Sequence, residues 1–503
     1  MKHKDQQEID DVLAQFLQDE LSLEEAEEAV KRLHEAGAGV IPRLLSWLDG
    51  PDTEYHTAAA ILLAATGDAK LVSMLMDRIR DPSLDDLLKV KLIAVVGQLD
   101  PSADSDDLFD HLQDSASALQ QAREEHLQLL RSPYDLAVWL ENIQAEDPTL
   151  RLYLVENSIY LNDPAAVPML ICLCYDSDDE VALAAMDGVE RFKDIRALRA
   201  LEELADRHPS RAVRTEAQKT ADRLRVRAPL SEQQRLLPVD AVYACYLTPI
   251  DAAGGQVAFI VRRHVDGSLT TVSVMFDDQE GIKDCFGADM DADELVEMLE
   301  DYTAEGILAV RVSHEACLSV LDMAIETSWS TGRLLPMSFL VWRELIESGR
   351  PDEPVTLTLP RVPAEQRDDS LAHCYELLYQ DEFQFWLFHP EEIEDLRARY
   401  VDQVKTTGAA LDREAVETLL RGGVREVVGD RWRRLIQGRL QRMVPLLYEL
   451  YEEEEVWQWA AVAAEALADD SPIPVQEHPF LIGMLACSLE EAIGGPIGWF
   501  DVQ

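Results

Sequence analysis

The 503-residue sequence is poor in positive charge, with 45 Lys and Arg against 96 Asp and Glu and a formal net charge of −51. Affinity for nucleic-acid backbones comes mainly from cations that release condensed counterions, so no nucleic-acid partner is expected. No membrane partner is expected either, because docking on anionic lipid needs polybasic segments. Long apolar runs are missing: stretches such as Ala58–Ala65 fall far short of the ~18–20 residues that span a bilayer. The opening "MKHKDQQEIDD" lacks the apolar core of a signal peptide. The seven cysteines are odd in number and form no C-x-x-C pair. Most sit in apolar runs such as "MLICLCY", which reads as reduced, buried thiols and a cytoplasmic location.

Catalytic signatures are missing too. There is no G-x-x-x-x-G-K-[ST] loop, no G-x-S-x-G elbow and no H-E-x-x-H. "IGGPIGWF" is not followed by a helix and reads as a turn rather than a phosphate cradle. The 11 His are scattered, none at zinc-ligand spacing with a Cys partner. His389 and His478 precede prolines and read as extended loop residues. His314 beside Ser313 makes no nucleophile–base pair by adjacency alone. Hence no catalytic, cofactor-binding or metal-ligating residue is assigned, and no cofactor is expected.

What the chain does have is 47% hydrophobic residues, enough for packed cores over a length of about three domains. The acidity is spread evenly: residues 1–230 hold 45 acidic and 24 basic groups, and the remainder 51 and 21. With 35 Arg and only 10 Lys, that balance is compatible with base composition or with adaptation to high salt. Over the first 230 residues helical apolar spacing is broken at short intervals by Asp, Gly and Pro. One landmark recurs, an Asp with small and apolar residues behind it: Asp68 in "TGDAKLVSML", Asp163 in "LNDPAAVPML" and Asp194 in "FKDIRALRAL". Each follows another helix with an acidic start: "DTEYHTAAAILLAATG", "DPTLRLYLVENSIYLN" and "SDDEVALAAMDGVERF". Asp at such starts caps free N–H groups and suits the positive end of the helix dipole. Pro148 and Pro164, at first helical positions, give up an N–H that would have gone unpaired. The unit is a helix pair of about 31 residues, and stacked pairs make a solenoid.

Val213-Arg214-x-x-Ala217 in "HPSRAVRTEAQKTADRL" resembles the second-helix motif of HEAT-like repeats of the short bacterial type. "DDEVALAAMDGVERF" keeps Val181 and Ala184 without the Arg, and residues 100–130 match poorly, with a loop expected at Pro101–Asp114. The resemblance covers residues 35–226 at most. It implies a curved helical array that offers an extended surface to a protein partner.

From Val239 the period becomes two. "VDAVYACYLT", "VAFIVRRHV" and "LTTVSVMF", joined by Gly-containing turns, predict three strands of an antiparallel meander. A helix near Asp293, a strand at Leu308–Val312, a helix from His314 capped by Ser313 and another over Pro336–Glu347 follow. Four prolines in "GRPDEPVTLTLPRVPAEQ" mark a boundary, and the last 140 residues are helical again. The fold class is therefore mainly α: an α-α superhelix (HEAT-like solenoid), then a small α+β domain, then a helical C-terminal domain. The expected domains are 1–230, 231–350 and 351–503.

Two constellations bear on binding. Asp289, Asp291, Asp293 and Glu300 fall at the first, third, fifth and twelfth positions of an EF-hand loop, but Glu294 replaces the turn glycine. Helical spacing at Leu295, Met298 and Leu299 favours an Asp-capped helix instead. In "DRWRRLIQGRLQRM", Arg431, Arg434 and Arg442 lie within about 80° on one helix face, a possible anion-binding set. A second basic island runs Arg207, Arg211, Arg214, Lys219, Arg223, Arg225 and Arg227. In so acidic a chain, pairing with its own carboxylates is the cheaper role for both. The expected function is a protein–protein interaction scaffold or adaptor. The alternative is an enzyme of unknown reaction, with its site in the α+β domain or against the C-terminal helices.

Overall fold

Aspartate opens the helices of this chain, because a short carboxylate can accept from the N–H groups a first turn leaves unpaired. The computed structural model describes residues 9–15, 29–34, 39–48, 53–68, 70–100, 108–145, 147–226, 241–304, 306–350, 361–451 and 455–499. The chain divides into two units, Met1–Met169 and Leu170–Gln503.

In the first unit, helices α1 (Val40–Leu48), α2 (Thr53–Ala65), α3 (Leu71–Ile79) and α4 (Asp86–Leu99) bury one continuous cluster. Leu44, Leu62, Leu75, Leu92 and Val96 have no exposed surface. Then come α5 (Ser115–Arg131), α6 (Pro133–Gln144) and α7 (Pro148–Leu161). Asp85 caps α4 by accepting from the amides of Leu87 and Leu88, and Asp147 caps α7 by accepting from Thr149. Pro133 and Pro148 stand in the first turns of α6 and α7. Among the landmarks, Asp68 accepts from Lys70 N and Asp163 from Ala165 N. Most of the loop expected at Pro101–Asp114, residues 101–107, lies outside the described residues.

The division falls inside helix α8 (Val167–Leu173). The second unit continues with α9 (Asp179–Phe192), α10 (Ile195–Arg207) and α11 (Arg211–Val226). Asp178 and Asp194 cap α9 and α10. The HEAT-like motif has a physical basis here. Val213 and Ala217 are fully buried, while Arg214 donates to the carbonyls of His208 and Pro209, tying the preceding turn to α11.

A five-stranded, wholly antiparallel sheet follows, in the order β4-β3-β2-β1-β5. Its strands are β1 (Val242–Leu247), β2 (Gly255–Arg263), β3 (Leu269–Asp277), β4 (Gly281–Met290) and β5 (Val310–Val312). Helix α12 (Ala292–Ala304) lies on one face, with Leu295 against Ala244, Val261 and Leu269. The other face meets α13 (His314–Ser330) and α14 (Met337–Glu347): Ser328 accepts from Ile282 N, and Trp342 lies over Gly287. Strand β4 was not foreseen. Its segment "GIKDCFGADM" loses the period-two signal because the register shifts opposite Met275/Phe276 and because Gly287 must stay bare beneath Trp342.

The C-terminal stretch packs α15 (Arg367–His373), α16 (Glu394–Thr407), α17 (Arg413–Val427), α18 (Asp430–Leu450), α19 (Val456–Ala466) and α20 (Pro479–Ile493). Trp386 anchors it, with ring centroids 5.1 Å from Phe383 and 5.6 Å from Phe480. Among the described residues no helix is long and apolar enough to cross a membrane.

Candidate functional site

The exposed faces of α6 and α7 combine apolar side chains with carboxylates. Val138 is 60% exposed, Tyr153 59% and Leu150 38%, although each lies on a helix whose opposite face is packed. Spacing explains the placement. Leu136, Leu140 and Ile143 take the buried side of α6 and leave Asp135, Val138 and Glu141 outside at intervals of three. On α7, Arg151, Val155 and Ser158 turn inward, so Leu150, Tyr153, Glu156 and Asn157 turn outward. Arg151, the only basic residue of these two helices, is buried and donates to the Gln144 carbonyl. Every described charged group at the surface of α6 and α7 is therefore acidic. Single exposed apolar residues are ordinary; here three stand on two consecutive helices whose described surface charges are all acidic.

The arginine face of α18 is largely committed inside the second unit. Arg442 donates to Asp278 at 2.6 Å, and Arg431 donates to Gln279 at 2.9 Å. Arg434 is exposed and has no ion pair among the described residues. Arg439 is a position the helical-wheel reading passed over. It is 1% exposed, bonds both oxygens of Asp278, and donates to the carbonyls of Ala252 and Ala253. Trp432 offers its ring 5.8 Å away. Burial depresses the Arg442 pKa, and the neighbouring Asp278 opposes the shift. The tips of two hairpins are thus clamped by one helix. Gly254 sits at the clamp with φ +95°, and a Cβ there would come within 2.0 Å of an Asp278 oxygen.

A second buried hub surrounds Glu203 of α10. Its carboxylate accepts from Tyr175 at 2.6 Å, Trp329 at 3.3 Å and Arg343 at 2.5 Å. Burial alone would raise its pKa, yet the charge of Arg343 and these three donors hold it below the usual value. Four cations of the second basic island are paired in the same internal way, while Arg214 bonds backbone carbonyls and Arg211 has no ion pair among the described residues. Arg207 meets Glu326, Lys219 meets Glu216, Arg223 meets Glu190 and Arg225 meets Glu202; Arg227 lies outside the described residues.

The EF-hand-like constellation is dispersed. Asp289 belongs to β4 and accepts from Thr270 at 2.6 Å. Asp291 accepts from the amides of Asp293 and Glu294, while Glu294 accepts in return from Asp291 N, a reciprocal cap for α12. Among the described residues no group of three or more His, Cys, Asp and Glu is arranged to hold a metal ion.

His314 Nε2 donates to the Ile346 carbonyl at 3.0 Å, and Ser313 is spent capping α13. His478 is buried, hydrogen-bonded to the Ala463 carbonyl at 3.0 Å, and burial lowers its pKa to about 4. No residue pattern in the sequence pointed to the Glu203 hub or to Arg439, since each joins segments far apart in the chain.

Residues 136–221, from α6 through most of α11, match the family model of HEAT repeats. Residues 136–221 are thus similar to HEAT repeats. No curated protein and no solved structure matches the chain.

Proposed function

We propose that this chain is a protein–protein interaction scaffold that uses its helical-repeat surface. The observation that carries the reading is the HEAT-repeat match over residues 136–221, which takes in the exposed Val138, Leu150 and Tyr153. HEAT repeats commonly mediate protein–protein contacts, and stacked helix pairs present extended surfaces. The carboxylates of Asp135, Glu141 and Glu156 beside those apolar groups favour a partner with an apolar anchor and a basic rim.

The test is affinity capture with the intact chain and with a Val138→Asp/Tyr153→Asp double variant, whose helicity is checked by circular dichroism. A protein held by the wild type should fall at least about tenfold in the variant, because hot spots concentrate in such anchors. Equal retention by both chains would remove α6 and α7 from the contact. Retention of nothing by the wild type would defeat the scaffold reading.

A further inference from the structure

We propose that the turn between α10 and α11 is a pH-sensitive latch, held shut by neutral His208 and released when its imidazole takes a proton. Helix α10 ends at Arg207 and α11 starts at Arg211, so only His208, Pro209 and Ser210 join them. Proline keeps the residue before it out of the helical region, and His208 has φ −58° and ψ 136°. With that backbone, Nδ1 accepts from the Ser210 amide at 3.0 Å. Asp147, Asp163, Asp178 and Asp194 make the same bond before other helices, each accepting from the amide two residues on. At this turn a histidine stands where the chain otherwise uses an aspartate.

The change of residue type changes what acid does. An ordinary aspartate ionises near about 4 and an ordinary imidazole near about 6.5, so mild acid spares the one acceptor and removes the other. His208 is 2% exposed. A neutral ring that accepts at Nδ1 carries its proton on Nε2, so the next proton must go to Nδ1. There it meets the Ser210 N–H, donor against donor, and the bond is lost.

The charged groups that bear on the ring are Asp179 of α9 and Arg214 of α11. Burial holds the His208 pKa below the ordinary 6.5; Arg214 adds to the effect and Asp179 opposes it. Both also tie the turn down. Ser210 Oγ donates to Asp179 at 2.6 Å, and Arg214 donates to the carbonyls of His208 and Pro209. An imidazolium in the closed turn stands near that guanidinium, and opening carries the new charge into water. Because the pKa is lower in the closed turn than in the open one, the latch is at full strength above pH 6.5 and weakens as pH falls below it. What acid releases is α11, the helix in which the HEAT-repeat match ends.

The experiment is hydrogen exchange of the full chain, read by mass spectrometry and corrected for the pH dependence of the chemical rate. Between about pH 7.5 and about pH 5.5, peptides covering 205–216 should lose protection several-fold, up to about tenfold, the limit for one proton taken up on opening. Peptides of β2 and β3 should keep theirs. Unchanged protection at 205–216 would overturn the proposal, and so would an equal loss in β2 and β3, which would mean that acid acts on the whole fold. In His208→Asn, the amide oxygen accepts from the same Ser210 N–H and does not titrate in this range. Its 205–216 peptides should stay protected at both pH values. A loss as large as that of the wild type in the folded variant would also overturn the latch. If circular dichroism shows that the variant does not fold, the wild-type profile decides alone.

Discussion

In the first unit the buried cations Lys89 and Arg151 bond partners close by in the chain, and Lys89 also meets Asp86 at 3.5 Å. Lys89 donates to His111 O at 3.0 Å, 22 residues on, and Arg151 to Gln144 O at 3.1 Å, seven residues back. In the second unit Arg343 and Arg439 reach carboxylates 140 and 161 residues away, at Glu203 and Asp278. Helices that pack in chain order need only contacts between neighbours, so their polar ties stay local. The second unit wraps a sheet with helices from distant parts of the chain, and buried charge pairs join those parts. The comparison implies that the first unit opens piecemeal, and that damage in the second spreads across segments remote in sequence.

Removing Arg439 should break the comparison most forcefully. Arg439→Ala strips Asp278 of a buried partner and leaves the Ala252 carbonyl without its donor, a loss of about 3–5 kcal/mol. Hydrogen exchange read by mass spectrometry should show peptides from 241–304 and 430–450 losing protection together. Loss confined to 430–450 would mean that the clamp does not couple them.

Acid comes next. His478 is neutral in the fold with a pKa near 4, against 6.5 for an ordinary histidine. Its contribution is complete above pH 6.5 and is lost as pH falls toward 4, because the unfolded chain takes the proton first. That amounts to roughly 3 kcal/mol. His478→Gln should flatten that stretch of the pH–stability curve in urea denaturation. An unchanged slope would place the acid sensitivity elsewhere.

Gly254→Ala puts a methyl against Asp278 at a left-handed backbone position and should cost about 1–3 kcal/mol. Its loss of protection should follow the same pattern as Arg439→Ala. Smallest is Asp85→Ala, which removes the cap of α4 for about 1 kcal/mol. The exchange change should stay within α3 and α4. A change reaching α7 would contradict local opening in the first unit.

Much of the local structure was legible in the residues. Asp147, Asp163, Asp178 and Asp194 all cap, Ser313 caps α13, and the first three strands fall where alternation placed them. These features depend on a few adjacent residues, so a sequence window contains their cause. Strand β4 escaped because a bulge and a glycine under Trp342 erase its alternation, and β5 shrank to Val310–Val312. The arginine helix was recognised as amphipathic, yet its most buried cation, Arg439, was counted on neither face. Charged residues are read as outward by default, and only the partner Asp278, 161 positions earlier, makes the inward position tolerable.

Repeat arrays grow by copying whole helix pairs, and the Glu203 hub sets a limit on such growth. A duplicate of the α9–α11 segment would carry a second acid at the Glu203 position, with no second Tyr175, Trp329 or Arg343 to receive it. Inheritance can lengthen the chain freely among helices whose polar ties are local. It cannot copy α10 without also inventing a socket for its carboxylate.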